Sequence, residues 1–335
     1  MTQKTILLTG CAGFIGSNFV KTICLLPEVK KEYQFFIIDA LTYAGHYPNI
    51  AKEIENNSHL QFQQIDICNR EAIRNLFQEN DFHGVIHFAA ESHVDRSIDN
   101  PNIFVETNVL GTLNLLNESL RTFSKNADFR FLQVGTDEVY GSLNMDDPPF
   151  TEDLPLKPNS PYSASKASAD LLVRSFYKTY KLPTLITRCS NNYGPYQFPE
   201  KLIPLMISNA QKNLPLPVYG KGANIRDWIY VDDHNRGIWQ CFLKGRIGEV
   251  YNFGGNAEIN NLDLVKMLLN IMGKSENLIT FVTDRLGHDL RYAINFNKAY
   301  KEFGWQPKYK LADGIQKTVE WYQSNRQWVE AVKKV

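Results

Sequence analysis

Thr9-Gly10-Cys11-Ala12-Gly13-Phe14-Ile15-Gly16 follows a short apolar run, Thr5 to Leu8, and opens a helical pattern that continues through Phe19, Val20 and Ile23. Strand, glycine-rich turn and helix, in that order, make a cradle for a diphosphate. Gly10 suits the tight turn. Gly13 lets a backbone approach the pyrophosphate, and Gly16 lets helix and strand pack closely. The helix N-terminus adds unpaired amides and a favourable dipole. The spacing is G-x-x-G-x-x-G rather than G-x-G-x-x-G.

Downstream, Phe35-Phe36-Ile37-Ile38 reads as a second strand ending at Asp39. An acid at that point hydrogen-bonds adenosine ribose hydroxyls and repels a 2′-phosphate, which favours NAD over NADP. No arginine lies in Ala40 to Ile50 to reverse the preference, and Tyr43 either stacks or belongs to the loop. Leu60 to Gln64 is a third strand with Asp66-Ile67 at its end, positioned for an adenine ring. Val85 to Phe88 is a fourth, followed by Ala89-Ala90-Glu91-Ser92, small enough for a cofactor to lie close. A long helix is predicted over 100–122, carrying Thr107 and Asn108 in an otherwise apolar pattern. Phe131 to Val134 is a fifth strand and Leu185 to Arg188 a sixth. Strands alternating with helices predict an α/β fold, a Rossmann-type doubly wound parallel sheet.

Two stretches beyond the fifth strand carry the chemistry. Gly135-Thr136-Asp137-Glu138-Val139-Tyr140-Gly141 places two adjacent carboxylates at a strand end. Tyr162-Ser163-Ala164-Ser165-Lys166 opens a helix running to about Tyr180. Tyr162 and Lys166, four apart, share one helix face. A phenol is a poor base at its ordinary pKa of about 10. A neighbouring ammonium and a cationic nicotinamide are expected to lower it. Phenol, acid and carboxylate together can move several protons in sequence. Either stretch alone reads as a surface pair or a solvated loop; the nucleotide-binding opening ahead of them selects the functional reading.

From Cys189 the texture changes. Ser190 to Gln197 is a polar, aromatic loop, Lys201 to Asn209 is helical, and Leu214 to Gly220 is extended. Ile225 to Val231 is strand-like with Arg226 inside it. Asn260 to Asp263 starts a helix. Asp284 to Tyr292 adds Arg285, His288 and Arg291. Clustered cations suit a substrate diphosphate. Arg226 is the leading candidate; the competing reading is an ion pair with Asp227 or Asp232. These segments predict a smaller, mixed α/β substrate-binding domain. The expected division is 1–188 with about 227–247 for the NAD domain, and 189–226 with 248–335 for the second.

The 335 residues carry 36 basic and 36 acidic side chains, so the formal net charge is zero. Nothing suggests nucleic acid or a membrane surface as a partner. Five cysteines (Cys11, Cys24, Cys68, Cys189, Cys241) show no metal or disulfide spacing and read as reduced thiols in the cytoplasm. His83 and His87 read as structural rather than as metal ligands, and no metal is expected. No signal peptide or membrane-spanning run is apparent.

These motifs resemble the extended short-chain dehydrogenases/reductases and, within them, the dTDP-glucose 4,6-dehydratases, over about residues 4 to 325. The most specific parts are Thr136 to Gly141, Ser160 to Ser168, Arg188 to Pro195, Ile225 to Trp228 and Asp284 to Asp289. The resemblance implies transient oxidation of dTDP-glucose at C4 with NAD, loss of water across C5–C6, and hydride return to C6. It implies catalytic roles for Thr136, Asp137, Glu138, Tyr162 and Lys166. It implies NAD contacts from Phe14, Ile15, Asp39, Ala40, Leu41, Thr42, Asp66, Ile67, Phe88 to Ser92, Thr107, Tyr162, Lys166 and Asn192, beside the three glycines. Sugar-nucleotide contacts are implied for Ser92, Thr136, Asn191, Lys201, Leu202, Pro217, Val218, Tyr219, Arg226, Asn261, Asp284, Arg285 and His288. A homodimer through the helices at 100–122 and 162–180 is implied as well. Another NAD-dependent 4-epimerase, decarboxylase or dehydratase acting on a UDP-sugar is the alternative on the same scaffold. The loop Gly45-His46-Tyr47-Pro48 departs slightly from the family's wording.

Overall fold

The computed structural model describes residues 3–284 and 287–333. Six strands alternate with helices through the first half: β1 (Lys4–Thr9), β2 (Tyr33–Asp39), β3 (Leu60–Gln64), β4 (Phe82–His87), β5 (Arg130–Thr136) and β6 (Thr184–Cys189). Six further strands follow: β7 (Asn191–Tyr193), β8 (Leu216–Tyr219), β9 (Ile225–Tyr230), β10 (Val250–Phe253), β11 (Glu258–Asn260) and β12 (Ile279–Val282). The main sheet has seven strands in the order β10-β6-β5-β4-β1-β2-β3. All its pairings are parallel. Chain direction across the sheet reverses between β1 and β4, the place where ligands bind in such folds.

The apolar runs are continuous because both sheet faces are covered. Ile6, Leu8, Ile37, Ile86 and Leu132 point to one face, against Phe19, Trp239 and Phe242. Their alternates Leu7, Ile38, Val85 and Phe131 point to the other, against Ile73, Leu115 and Val173. A separate core around Ile203, Met206, Trp228, Leu264 and Val319 supports the second unit, whose sheets are β11-β9-β7 and β12-β8. This unit departs from the expected division at two points. β10 completes the main sheet, so Val250–Phe253 stands with the first unit. Asp227 to Tyr230 of β9 lie in the small three-stranded sheet with the second. Four-residue strands carry too little period to reveal which sheet they join.

The helix bearing Tyr162 spans Pro161–Tyr180. Ser160 caps it through a reciprocal box with Ser163, Pro161 sits at its first position, and Lys181 ends it in the left-handed conformation. The helix expected over 100–122 is broken into Pro101–Phe104, a π-helical stretch Val105–Gly111 and Thr112–Phe123. The widened turn carries Asn108. Its side chain brackets Glu91, accepting from the Glu91 amide at 2.9 Å and donating to the Glu91 carbonyl at 3.0 Å, and it donates to Ser165 Oγ at 2.8 Å. Such bulges recur at functional sites, where a side chain is turned out of register to reach a neighbour.

His87 is fully enclosed between Thr9 Oγ1 at 2.7 Å and Thr112 Oγ1 at 3.0 Å. Burial pushes its pKa down to about 3. His234, equally buried, has Nδ1 3.0 Å from Asn192 Oδ1, and burial pushes it down to about 3 as well. All five cysteines are free, and only Cys68 is not buried.

Candidate active site

A cleft of about 450 Å³ opens at the strand ends where β1 and β4 diverge. The glycine turn forms its floor. Gly10 has φ +73°, and a Cβ there would stand 2.5 Å from Ala89 Cα. On Gly16 it would stand 2.6 Å from Cys11 Cα, so this glycine seats the helix against the turn. Around Gly13 a Cβ would meet only the carbonyls of Gly10, at 3.3 Å, and Ala44, at 3.9 Å. That opening leaves the backbone accessible from the cleft. Asp39 ends β2 at the rim, its two oxygens taking the amides of Ala12 at 2.9 Å and Leu41 at 2.8 Å. Among the described residues lining the cleft, the cations are Lys166 and Lys201; neither belongs to the loop after β2. An open glycine backbone, an acid at the ribose position and no arginine beside it fit NAD. Every cofactor residue named from the sequence lines this cleft except Leu41, whose backbone carries φ +57° beside it.

Strand β5 delivers the acid pair. Thr136 ends the strand, and Asp137–Tyr140 form a single 3₁₀ turn capped by Thr136 Oγ1, which accepts from the Glu138 amide at 3.3 Å. Thr136, Asp137, Glu138, Tyr162 and Lys166 all line the cleft. Asp137 is 1% exposed, and its Oδ2 is buried with no hydrogen-bond partner. Burial, then the charges of Glu138 and Asp227, raise its pKa well above the carboxylate range, with Arg226 opposing them. Burial among acids therefore favours the protonated form of Asp137.

That protonation has a consequence for stability. A raised folded-state pKa stabilises the fold below the ordinary carboxylate value and loses that contribution as pH climbs through the raised value. Asp137→Asn is therefore expected to gain stability over the parent progressively as pH rises above the ordinary carboxylate value. Thermal unfolding at several pH values checks it; a pH-independent difference would contradict the buried acid.

Tyr162 differs from expectation. Burial, then Glu138, Cys189 and Asp137, raise its pKa, while a hydrogen bond with Thr136 lowers it. The Lys166 ammonium, expected to lower it, donates to the Val134 carbonyl at 2.9 Å. Burial lowers Lys166 and Asp170 raises it. Proton loss from Tyr162 thus calls for a positive charge in the cleft itself.

The substrate residues named from the sequence fall into two groups. Ser92, Thr136, Asn191 and Lys201 line the cleft. Lys201 Nζ donates to the Ser92 carbonyl at 2.8 Å, and Asn191 Oδ1 is buried with no partner. Leu202, Pro217, Val218, Tyr219, Arg226, Asn261, Asp284 and His288 lie in the second unit, outside that lining. Val218 is turned into its core. His288 Nδ1 lies 2.6 Å from Asp284 Oδ1 and its ring meets Tyr219 edge-on. Arg226 lies over the Tyr292 ring at 4.3 Å and donates to the carbonyls of Ile225 and Asp289, so neither Asp227 nor Asp232 is its ion partner. Asn224 joins the Asp289 carbonyl to the Asn261 amide. Arg291 pairs with Glu258 through Nε and Nη2, at 2.7 and 3.0 Å, and its Nη1 donates to the carbonyls of Asn144 and Asp147. Arg285 lies outside the described residues.

Other residues at the cleft carried no sequence signal. Tyr43 is held between the Arg96 guanidinium, at 3.7 Å, and the Phe198 ring, with Glu200 beside both. Cys189 faces Lys166 and Tyr162 and accepts from Asn192 Nδ2 at 3.2 Å. Tyr43 alone had been weighed as a stacking residue.

The sequence model of the GDP-mannose 4,6 dehydratase family matches residues 7–318. A dTDP-glucose 4,6-dehydratase from Xanthomonas campestris pv. campestris is 49% identical over 98% of this chain and 96% of its own. The crystal structure of a dTDP-glucose 4,6-dehydratase from Bacillus anthracis, in complex with NAD, matches with a TM-score of 0.88 and 46% identity, covering 98% of this chain and 99% of that one. The dTDP-glucose 4,6-dehydratase DesIV of Streptomyces venezuelae, also crystallised with NAD, matches with a TM-score of 0.92 and 44% identity over 98% and 99%.

Proposed function

The chain belongs to the GDP-mannose 4,6 dehydratase family, on its dTDP-glucose 4,6-dehydratase branch, and from that premise we propose that it converts dTDP-glucose to dTDP-4-keto-6-deoxyglucose and water. The observation that carries this reading is the adjacent Asp137–Glu138 pair at the end of β5, in one cleft with Tyr162. NAD, held by the Gly13 backbone, Asp39 and the Ala89 to Ser92 edge, supplies the hydride acceptor at C4 and the donor at C6.

Tyr162 takes the proton of the sugar 4-hydroxyl, with Thr136 hydrogen-bonded to the phenol oxygen. A ketone at C4 acidifies the C5 hydrogen. Glu138 removes that proton. Asp137, protonated because it is buried among acids, gives its proton to the departing 6-hydroxyl, and water leaves. Glu138 then returns its proton to C5. Lys201 and Arg226 supply positive charge for the substrate diphosphate. Incubation with dTDP-glucose should give the alkali-induced absorbance of a 4-keto sugar. Formation of the C4 epimer with no such absorbance would reject the assignment.

The working form is a homodimer. Ile103, Val105 and Leu110 on the 101–111 stretch, and Leu171 on the Pro161–Tyr180 helix, are 39–55% exposed on neighbouring elements. Apolar side chains gathered in this way mark an association surface. Leu110→Asp combined with Leu171→Asp should bring the sedimentation mass to that of one 38.5 kDa chain. An unchanged mass would place any interface elsewhere. Among the described residues no helix is long and apolar enough to cross a membrane. Five free thiols suit a reducing compartment, and the cytoplasm is the location we assign.

A further inference from the structure

Behind the cleft, three buried charges stand together where two would balance. Lys166, Asp170 and Arg188 are 4%, 1% and 5% exposed. Asp170 lies one turn beyond Lys166 on the same helix, and Arg188 reaches it from β6, with Nε 2.9 Å from Oδ2. The other oxygen, Asp170 Oδ1, is buried and has no hydrogen-bond partner. It lies against Gly135, where a Cβ would come within 3.3 Å of it. Gly135 follows Val134, whose carbonyl holds the Lys166 ammonium, and precedes Thr136. The carboxylate paired with Arg188 thus stands one helical turn from the Lys166 ammonium, at the strand end where Tyr162 and the acid pair meet.

The Arg188 side of the group is also fixed. Its guanidinium lies 4.8 Å over the Tyr140 ring. Tyr140 donates to Asn252 Oδ1 at 2.9 Å, and the Asn252 amide donates to Glu152 Oε1 at 3.0 Å. A buried ion pair is weak evidence for stability, because apolar residues of similar size fill such a space as well. A buried carboxylate with an oxygen left unpaired calls for another explanation.

We propose that Asp170 and Arg188 are positioning residues of the reacting centre, holding the Lys166 ammonium charged and pinned at the β5 end where Tyr162 gives up its proton. The inference rests on the role assigned to Tyr162 under the proposed function and on Lys166 lining the same cleft. Lys166 is faced by Asp170 on its own helix, by Cys189 on β6, by His87 on β4 and by the Val134 carbonyl. Tyr162 is faced by Glu138, Asp137, Thr136 and Cys189. Of these, Asp170 is the acid that raises Lys166 against the effect of burial. Burial raises Asp170, and Arg188, which also orients it, opposes that rise.

The test is rapid mixing of the NAD-loaded Asp170→Asn protein with dTDP-glucose across a pH series, reading the near-ultraviolet absorbance of reduced cofactor. Loss of the counter-charge should move the alkaline limb down by about one pH unit or more and lower the plateau rate about tenfold. KM should change little, and Asp170→Glu should restore the limb. A limb at the parent position, with amplitude scaled only to the folded fraction, would overturn the proposal. Should Asp170→Asn fail to fold, Asp170→Asn with Arg188→Met removes both charges of the pair and is read in the same way: a lowered limb supports the role, a parental one rejects it. The parent protein separates the two levels. Failure to form any 4-keto sugar rejects the proposed function, whereas an active parent with unshifted variants rejects the positioning role alone.

Discussion

Tyr162→Phe should show no absorbance of reduced cofactor on mixing with dTDP-glucose, and turnover should fall by about 10²–10⁴-fold, the range for loss of a positioned acid or base. The phenol is the group beside Thr136 at the end of β5 that can take the 4-hydroxyl proton, and it is almost wholly enclosed. Phenylalanine fills the same space. Phe104 meets the ring edge-on at 6.3 Å and would keep its partner. Folding and NAD content should therefore match the parent, and the loss should be confined to chemistry. Because burial and the acids raise the phenol, the reaction of the parent should depend on the positive charge of oxidised cofactor. A variant that still accumulates reduced cofactor at the parental rate would remove Tyr162 from the first step.

Glu138→Gln should separate the steps that Tyr162→Phe abolishes together. Oxidation at C4 needs Tyr162 and Lys166 and does not use the Glu138 carboxylate, so hydride exchange between C4 and cofactor should persist. Removal of the C5 proton should fail, and 4-keto-6-deoxy product should fall by about 10²–10⁴-fold. Deuterium placed at C4 and followed into bound cofactor and released product reads both steps in one sample. Loss of Glu138's negative charge should also ease deprotonation of Tyr162, since that carboxylate is the first charge raising the phenol. Exchange is thus expected at or above the parental rate. Equal loss of exchange and product would show that the two carboxylates and the phenol do not divide the work in this way.

What the sequence reveals and what it hides have physical causes. The glycine turn, the strand-end acid Asp39, the acid pair and Tyr162–Lys166 are legible because each is set by local geometry: a tight turn, a strand end, one helix face. The Tyr43–Arg96–Phe198–Glu200 group is not, since its members come from two loops and a short helix far apart in the chain and share no period. Cys189 sits one residue beyond the expected sixth strand and reads as core until its neighbours are in place. The direction of Lys166 is another such case. Spacing aligns it with Tyr162, and only the fold shows that the Val134 carbonyl captures its ammonium. Arg291 matches the pattern of a phosphate-binding cation, yet Glu258 of β11 takes its Nε and Nη2 and the carbonyls of Asn144 and Asp147 take its Nη1.

The enclosed imidazoles also set a limit on how the protein can be handled. His87 and His234 stay neutral in the fold down to about pH 3, whereas in the open chain each takes up a proton near pH 6.5. Their contribution to stability is full above that pH and drains away as acidity increases from 6.5 towards 3. Souring of the medium below about pH 6.5 should therefore loosen the fold through these two imidazoles, while the buried acid Asp137 pulls the other way.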